Sequence, residues 1–445
     1  MKYIPQSEQD RSDMLETIGV DSIEDLFSAI PKNYRCPEQI DYPQAQSESE
    51  LRDQFKGLSD LSESPQLSFA GCGIYQHEIP SIVPFLTQRS EFATSYTPYQ
   101  PEVSQGSLQC IFEFQTLACQ LTEMELSNAS LYDGATALGE AALMALRIKK
   151  KSKAKILVSS ALHPFYREVL ETYCEAFLDR FEWLPLDGNS LDLAALEKKI
   201  ESADLLITQS PNVFGSIENE ARIGEIKKTS DALWITSCME PFFWGAFRGP
   251  GAFGADIVTA EGQSFGNKAF LGGSSFGIFC CKNEFLRNLP GRLVGETLDQ
   301  NGDRAFTLTF ATREQFIRRG RATSNICTNN NLNMLAGLIH MLCLGRQGLR
   351  EVALQSISKT QYLRRSLSKI SGLKLTKDPV FNEFCIESPL TGDELVERLS
   401  QEGVIPGVSL GRFKEEWKHK LLIHVSERHR LEHLDRLCTL IQKSL

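Results

Sequence analysis

Basic residues are not in excess in this chain. Its 445 residues include 47 Lys and Arg against 57 Asp and Glu, which gives a net charge of −10. That balance excludes a general nucleic-acid-binding protein. No window approaches the run of about 18 apolar residues that a membrane-spanning helix requires, and residues 1–10 do not show the basic segment and apolar run of a secretory leader. We therefore expect a cytoplasmic protein that binds neither nucleic acid nor membrane.

Motifs for metal binding and for disulfide frameworks are also missing. The 12 cysteines are scattered, with one adjacent pair and no Cys-x-x-Cys spacing, so neither a zinc site nor a disulfide framework is predicted. Four of the seven histidines cluster late in the chain without an accompanying carboxylate ligand motif. We expect these four to lie on a solvated face: His419, His424, His429 and His433.

The composition is otherwise that of a large globular protein, because 42% of the residues are hydrophobic. Residues 1–66 are predicted to form a helical arm, in which Ser7 and Ser22 each precede a short helix. Neither helix can bury its apolar face alone. The arm therefore needs the rest of the chain or a second polypeptide to pack against.

Residues 67–325 are predicted to form a large sheet-containing domain. Short apolar strands alternate there with amphipathic helices, which indicates an α/β domain with a mostly parallel central sheet covered on both faces. The strands are expected at residues 155–160, 204–209, 232–237 and 256–260. Ligands of such sheets bind beyond the carboxyl ends of the strands, which here carry residues 209–212, 237–240 and 261–263.

Residues 326–445 are predicted to form a smaller C-terminal α+β domain. A long apolar helix at 332–344 comes first. It is followed by strands at 382–386 and 421–425 and by helices at 391–402 and 427–441.

Two segments have the composition of a binding site. Residues 94–106 combine tyrosines, prolines and amides ahead of a helix, which suits a rigid recognition loop as well as an ordinary loop with half-buried tyrosines. Residues 310–330 carry Arg313, Arg318, Arg319 and Arg321 before a run of hydroxyl and amide side chains. Such a segment suits an anionic cofactor, an anionic patch on a partner or a solvated basic surface.

Two further features have competing interpretations. Residues 132–136 open a helix with a Gly/Thr-rich turn that suits an anion, but Asp133 places a carboxylate there and can cap the helix by itself. Lys268 lies in a loop after a strand and can form a Schiff base with an aldehyde cofactor. A lysine in such a glycine-rich loop is more often an exposed turn residue.

Several long motifs together resemble one family, the glycine cleavage P-protein, glycine dehydrogenase (decarboxylating), in its split form and specifically in its first (alpha) subunit. The similar segments include Tyr96-Thr-Pro-Tyr-Gln-Pro-Glu102, Ile111-Phe-Glu-Phe-Gln115, Asn128-Ala-Ser-Leu-Tyr-Asp-Gly-Ala-Thr-Ala137, Pro290-Gly-Arg-Leu-Val-Gly-Glu296 and Arg321-Ala-Thr-Ser-Asn-Ile-Cys-Thr-Asn329. The resemblance covers nearly the whole chain.

The resemblance implies a fold-type-I pyridoxal-phosphate architecture, with an N-terminal arm that wraps a partner. It implies an oxidoreductase active only with a homologous beta subunit, two of each chain forming the working enzyme. That enzyme decarboxylates glycine, passes the aminomethyl group to the lipoyl arm of the H-protein and releases carbon dioxide. In the family, the beta subunit carries the lysine that binds pyridoxal phosphate.

The same resemblance implies the site residues. A loop facing glycine and the cofactor is formed by Tyr96, Tyr99, Gln100, Glu102, Ser104 and Gln105. The partner's cofactor phosphate or substrate is reached by Thr323, Ser324 and Asn325. This chain departs from the family at Glu240-Pro241, where the family has Asp before Pro, and at Asn267-Lys-Ala-Phe270.

The residues themselves support a cofactor-free subunit. A pyridoxal-phosphate site needs a lysine, an acid against the pyridine nitrogen and a phosphate cup without negative charge. Here Gln263 or Ser264 stands near the lysine position and Asp133 stands in the cup. Two alternatives remain open: a self-contained pyridoxal-phosphate enzyme that uses Lys268, and a non-catalytic subunit that only stabilises a partner.

Overall fold

The computed structural model describes residues 5–36, 42–61, 65–93, 97–151, 153–270 and 273–445. The chain divides into two compact units, Met1–Ser64 and Pro65–Leu445. None of the described helices is long and apolar enough to cross a membrane.

The first unit contains two α-helices that bury none of their side chains. Helix α1 is Glu8–Ile18 and helix α2 is Glu48–Asp60, each started by a serine in a capping box, and Ser7 is the cap of α1 as predicted. A 3₁₀ turn, Glu24–Phe27, follows Ser22, whose hydroxyl accepts from the Asp25 amide. Several apolar side chains of these elements are exposed: Met14, Ile18, Leu26, Phe27, Leu51, Phe55 and Leu58.

The second unit contains the remaining helices and all the described strands. The helices are α3 Ile82–Thr87, α4 Ser90–Ala93, α5 Gln105–Thr122, α6 Gly134–Lys149, α7 Pro164–Tyr173, α8 Leu193–Lys199, α9 Glu220–Lys227, α10 Gln315–Arg318, α11 Asn331–Leu367, α12 Gly392–Ser400 and α13 Leu431–Ser444. The strands are β1 Leu67–Ser68, β2 Leu126–Ser127, β3 Ile156–Ser159, β4 Phe181–Leu184, β5 Leu186–Asp187, β6 Ser190–Leu191, β7 Leu205–Gln209, β8 Leu233–Cys238, β9 Ile257–Glu261, β10 Gly277–Cys281, β11 Leu293–Leu298, β12 Arg304–Thr309, β13 Lys374–Leu375, β14 Glu383–Glu387, β15 Val404–Ile405, β16 Val408–Ser409 and β17 Lys420–His424.

A seven-stranded sheet forms the centre of this unit, in the order β2-β10-β9-β8-β7-β3-β4. Strands β9, β8, β7, β3 and β4 pair in parallel, and β10 runs antiparallel to both of its neighbours. Alternate side chains supply two separate cores, one that includes Leu157, Trp234 and Val258 and one that includes Ile156 and Ile235. The predicted α/β fold with a mostly parallel sheet is confirmed.

The C-terminal part adds a four-stranded antiparallel sheet in the order β13-β14-β17-β16. Strand β1 pairs with β15 in this part, and Phe69 belongs to its core. The apolar helix predicted at 332–344 continues to Leu367 as α11, with a kink at Gly345. Residues 65–79 therefore join the large sheet region to the C-terminal part.

Two of the four late histidines are buried, so the expected solvated face is wrong for them. His424 is 1% exposed and His429 is 7% exposed. His424 sits on strand β17, and His429 stacks on Phe69 with ring centroids 4.6 Å apart. The sequence pattern gave no sign of this, because the contact that buries His429 comes from a strand some 360 residues away.

Candidate functional site

The strand tips of the central sheet meet the start of helix α6, where the sequence suggested an anion site. Glu261, the last residue of β9, is buried, and its Oε2 accepts a hydrogen bond from the Gly134 amide at 3.0 Å. Its Oε1 accepts from the Gln263 amide and from the Ser275 hydroxyl. Asp133 caps the same helix by accepting from the Thr136 amide at 2.7 Å. The chain's own carboxylates thus fill the place where a phosphate would bind.

Glu240 lies two residues after the end of the neighbouring strand β8 and belongs to a buried cluster. Its Oε2 accepts from His77 Nε2 at 3.1 Å, and its Oε1 accepts from the Ser264 hydroxyl at 2.9 Å. The other ring nitrogen of His77 bonds Glu427 at 2.7 Å. Burial opposes charge on His77, but the two carboxylates overcome it and raise the pKa of His77 to about 10. A charged imidazolium is therefore enclosed between the two acids at neutral pH.

A second buried group lies beside this cluster. Glu383 accepts from the Cys72 amide at 2.6 Å and from the Tyr75 hydroxyl at 3.0 Å. The Cys72 thiol lies 3.1 Å from His163 Nε2. Burial raises the pKa of Cys72 far above its usual value and lowers the pKa of His163 to about 4. This pair is neutral at pH 7 and is not an activated cysteine.

The crevice between these groups is nearly closed. Its cavity measures about 10 Å³, and its lining includes Cys72, Tyr75, His163 and Glu383. A volume of this size holds about one water molecule. The Gln263 side chain, which stands near the position of the cofactor lysine, forms hydrogen bonds with the backbone of Tyr75 and Asn267.

The residues present therefore do not fit pyridoxal phosphate. The place for the phosphate contains the carboxylates of Glu261 and Asp133. Glu240, at the position of the acid, is paired with the His77 imidazolium, and the cavity cannot admit a pyridine ring. Lys268 is exposed and does not line the cavity.

The predicted recognition loop lies elsewhere, on the surface of the second unit. Tyr99 is 54% exposed, and Gln100 and Glu102 are exposed beside it. Ser104 is half-buried at the start of α5. Gln105 exchanges two hydrogen bonds of 2.9 Å with the backbone of Phe306 on β12. Tyr96, also predicted for this loop, lies outside the described residues.

Arg292 joins this loop to the second predicted segment. Its Nη2 donates to the Tyr99 hydroxyl at 3.2 Å and to the Cys327 carbonyl at 2.7 Å, and its Nη1 donates to the Thr328 hydroxyl at 3.1 Å. The guanidinium is buried, with the residue 6% exposed. Sequence reasoning did not single out Arg292, although the Pro-Gly-Arg motif that contains it was among the similar segments.

The residues just before this contact are less tightly held. Ser324 accepts from the Ile326 amide at 3.0 Å, Thr323 donates its amide to the Arg313 carbonyl, and Asn325 is exposed. Of the arginines in the basic segment, Arg313 is half-buried and donates to the backbone of Leu289 and Gly291. The other three are exposed: Arg318, Arg319 and Arg321.

Comparison with known proteins gives consistent matches over the whole length. The family model described as glycine cleavage system P-protein matches residues 1–441. A probable glycine dehydrogenase (decarboxylating) subunit 1 from Desulfotalea psychrophila is 42% identical over 446 residues, covering 100% of this chain and 99% of that protein. Another protein of the same name, from Bacillus cereus, is 45% identical over 444 residues and covers 98% of each chain.

Solved structures agree. The crystal structure of a glycine decarboxylase (P-protein) of the glycine cleavage system, in inhibitor-bound form, superposes with a TM-score of 0.90 at 38% identity and covers 100% of both chains. A NifS-like protein superposes with a TM-score of 0.63 at 13% identity, covering 85% of this chain and 98% of that one, which shows a shared fold.

Proposed function

The chain belongs to the glycine cleavage system P-protein family, and we propose that it is the subunit of a glycine decarboxylase that completes a cofactor site without holding the cofactor. With a beta subunit, two of each chain, it decarboxylates glycine in the cytoplasm. The aminomethyl group passes to the lipoyl arm of the H-protein, and carbon dioxide is released. Relatives named as subunit 1 support the pairing with a second subunit.

One observation carries the division of labour between the subunits. The crevice lined by Glu240 and Glu383 has room for about one water, and at the start of α6 Glu261 and Asp133 place carboxylates where a phosphate would bind. Pyridoxal phosphate, which supplies the electron sink for loss of carbon dioxide, is therefore assigned to a lysine of the beta subunit.

This chain's contribution is the surface formed by the 97–105 loop and the 323–329 segment, which we name the loop surface. Because Arg292 donates to the Tyr99 hydroxyl oxygen, the hydroxyl proton is left to point outward and to donate to an oxygen of bound glycine. Exposed Gln100 and Glu102 can orient the substrate amine.

The remaining predicted residues have supporting roles in this proposal. Gln105 fixes the loop to β12 through its two backbone hydrogen bonds, and Ser104 begins helix α5 next to it. On the second segment, Thr323, Ser324 and Asn325 reach toward the partner's phosphate or substrate.

Exposed apolar side chains around the loop surface support a partner at this position. The edge of the Tyr99 ring meets Phe316, with ring centroids 6.3 Å apart, and Phe316 is itself 52% exposed. In the proposal this pair forms one apolar patch with three other exposed side chains, and such patches mark protein interfaces. The three are Val103, Phe310 and Ile317. In the proposal the beta subunit covers this patch and is wrapped by the arm of residues 1–66.

The test is cofactor loading of the purified chain, with and without the beta subunit. Pyridoxal phosphate is added, the visible spectrum is recorded, and borohydride is used to fix any lysine adduct for peptide mapping. We expect no adduct on this chain and one on the beta subunit. An adduct at Lys268 that Lys268→Ala abolishes would overturn the proposal in favour of a self-contained enzyme.

The non-catalytic alternative is tested on the assembled enzyme. Tyr99→Phe and Glu102→Gln leave the apolar patch unchanged, so a subunit that only stabilises its partner would tolerate both. We expect assembly to be retained and glycine turnover to fall in each variant.

A further inference from the structure

A second cavity has no residue in common with the loop surface or the strand-tip crevice. It measures about 1000 Å³ and lies between α5, the chain after β8 and the kink of α11. Its apolar lining includes Leu117, Leu121, Trp244, Phe247, Met341 and Leu349. Pockets for small molecules commonly measure about 300–1,000 Å³ and are lined mostly by apolar groups.

The backbone is shaped to leave this space open. Gly345 interrupts helix α11 with a φ of 59° and a ψ of −175°, a conformation that side chains other than glycine rarely adopt. Gly245 packs so closely that an added Cβ would lie 2.6 Å from the Leu349 carbonyl oxygen. A side chain at position 345 would strain the backbone at the kink, and a side chain at position 245 would collide with the Leu349 carbonyl.

The polar groups of the cavity are cationic, although the protein is acidic overall. Three arginines and one glutamate line it, and Arg248 is paired with that glutamate, Glu123, through its Nη2. Arg346 and Arg350 are both exposed and have no hydrogen-bond or ion-pair partner within the described part of the chain. They lie four residues apart after the kink, so they share one helix face and can both reach a single anion.

A buried donor adds to this arrangement. The indole N–H of Trp244 has no acceptor among the described residues, although the residue is 6% exposed. A buried N–H without a partner costs free energy. The apolar walls and the two unpaired guanidinium groups together specify the ligand chemistry.

We propose that this cavity binds a small amphipathic anion, with an apolar body against Trp244 and Phe247 and a carboxylate or similar head held by Arg346 and Arg350. The proposal does not depend on the cofactor arrangement proposed above, because it uses different residues. A protein segment from a partner is the competing occupant, and the experiment distinguishes the two.

The experiment is calorimetric titration of the assembled enzyme with decanoate, and with decanamide as the uncharged control. We expect saturable binding of one decanoate per copy of this chain, and binding about tenfold weaker or more for decanamide. The double variant Arg346→Gln/Arg350→Gln should bind decanoate more weakly than the wild type by a similar factor. Arg365→Gln changes an exposed arginine on the same helix outside the cavity and should have no effect.

Three results would overturn the proposal. The first is equal affinity for decanoate and decanamide, and the second is unchanged affinity in the double variant. The third is binding to the isolated chain but not to the assembled enzyme, which would identify the cavity as a contact surface for a partner.

Discussion

The strand-tip crevice and the loop surface differ in how their polar groups are hydrogen-bonded. In the crevice, the acids at the strand tips meet donors from the same chain: Glu261 meets Gly134, and Glu240 meets His77. On the loop surface, the Tyr99 hydroxyl has one hydrogen-bond partner among the described residues, Arg292, and more than half of the residue's surface is exposed. A site whose acids are paired within the chain stabilises a fold, whereas an exposed hydroxyl with one hydrogen-bond partner is ready for an external ligand.

The comparison predicts that crevice variants change stability and that loop variants change turnover. The largest effect is expected from His77→Leu, which leaves Glu240 buried without its counter-charge. We expect a loss of about 3–5 kcal/mol in the free energy of unfolding, measured by urea titration. Glu296→Gln, which breaks the exposed pair with Arg304, is the control and should cost less than about 1 kcal/mol.

The next effect concerns pH. Burial raises the pKa of Glu383 to about 7 from its ordinary 4.5, so folding favours the protonated acid. Its contribution to stability is fully present below pH 4.5 and is lost as the pH rises to about 7. In Glu383→Gln, an amide oxygen can accept from Cys72 and the NH₂ can donate to Tyr75. Between these pH values, the free energy of unfolding of the wild type should fall by about 3 kcal/mol relative to that of the variant.

That experiment also has a clear contrary outcome. If the two unfolding free energies stay parallel between pH 4 and pH 8, Glu383 is ionised in the folded protein and the crevice is wetter than its cavity of about 10 Å³ indicates.

A smaller change in free energy is expected on the loop surface. Arg292→Met removes the donor shared by the Tyr99 hydroxyl, the Cys327 carbonyl and the Thr328 hydroxyl, so the loop loses its fixed position. We expect kcat for glycine decarboxylation by the assembled enzyme to fall about 10²-fold. This factor should be larger than the factor by which KM rises. Arg292→Lys should restore part of the rate, because one ammonium can still reach some of the acceptors. Equal turnover in wild type and Arg292→Met would contradict the prediction that variants of the loop surface change turnover.

The smallest effect is expected from Tyr99→Phe, which removes one hydroxyl and keeps the ring against Phe316. Turnover should fall about five- to tenfold without a change in melting temperature. Tyr362→Phe is the matched control, because this hydroxyl bonds Asp435 at 2.7 Å on a different surface. Equal losses in the two variants would remove the special role assigned to Tyr99.

The sequence predicted the parts of the fold that local patterns determine. Apolar runs predicted strands β3, β7, β8 and β9, and the Ser7 cap predicted α1. Thr391 was expected to begin a helix and is the N-cap of α12. These features depend on residues that are close together in the chain, where spacing and propensity act directly.

Contacts between distant residues could not be predicted in this way. The partners Gly134 and Glu261 are 127 residues apart, and Tyr99 and Arg292 are 193 apart. The sequence offered both an anion site and a capped helix at residues 132–136, and only the fold decides between them by bringing Glu261 to Gly134. For the same reason the burial of His429 by Phe69 was missed.

The bond from Gly134 to Glu261 also bears on how such a subunit can evolve. Under the proposed division of labour, a cofactor site in this chain would require a lysine at a strand tip, removal of two carboxylates and a wider cavity. Replacing Glu261 alone would leave three donors without an acceptor, those of Gly134, Gln263 and Ser275, and each such loss is costly in a buried site. A first substitution toward a cofactor site is therefore destabilising and brings no activity, so the proposed dependence on a second subunit would be difficult to reverse.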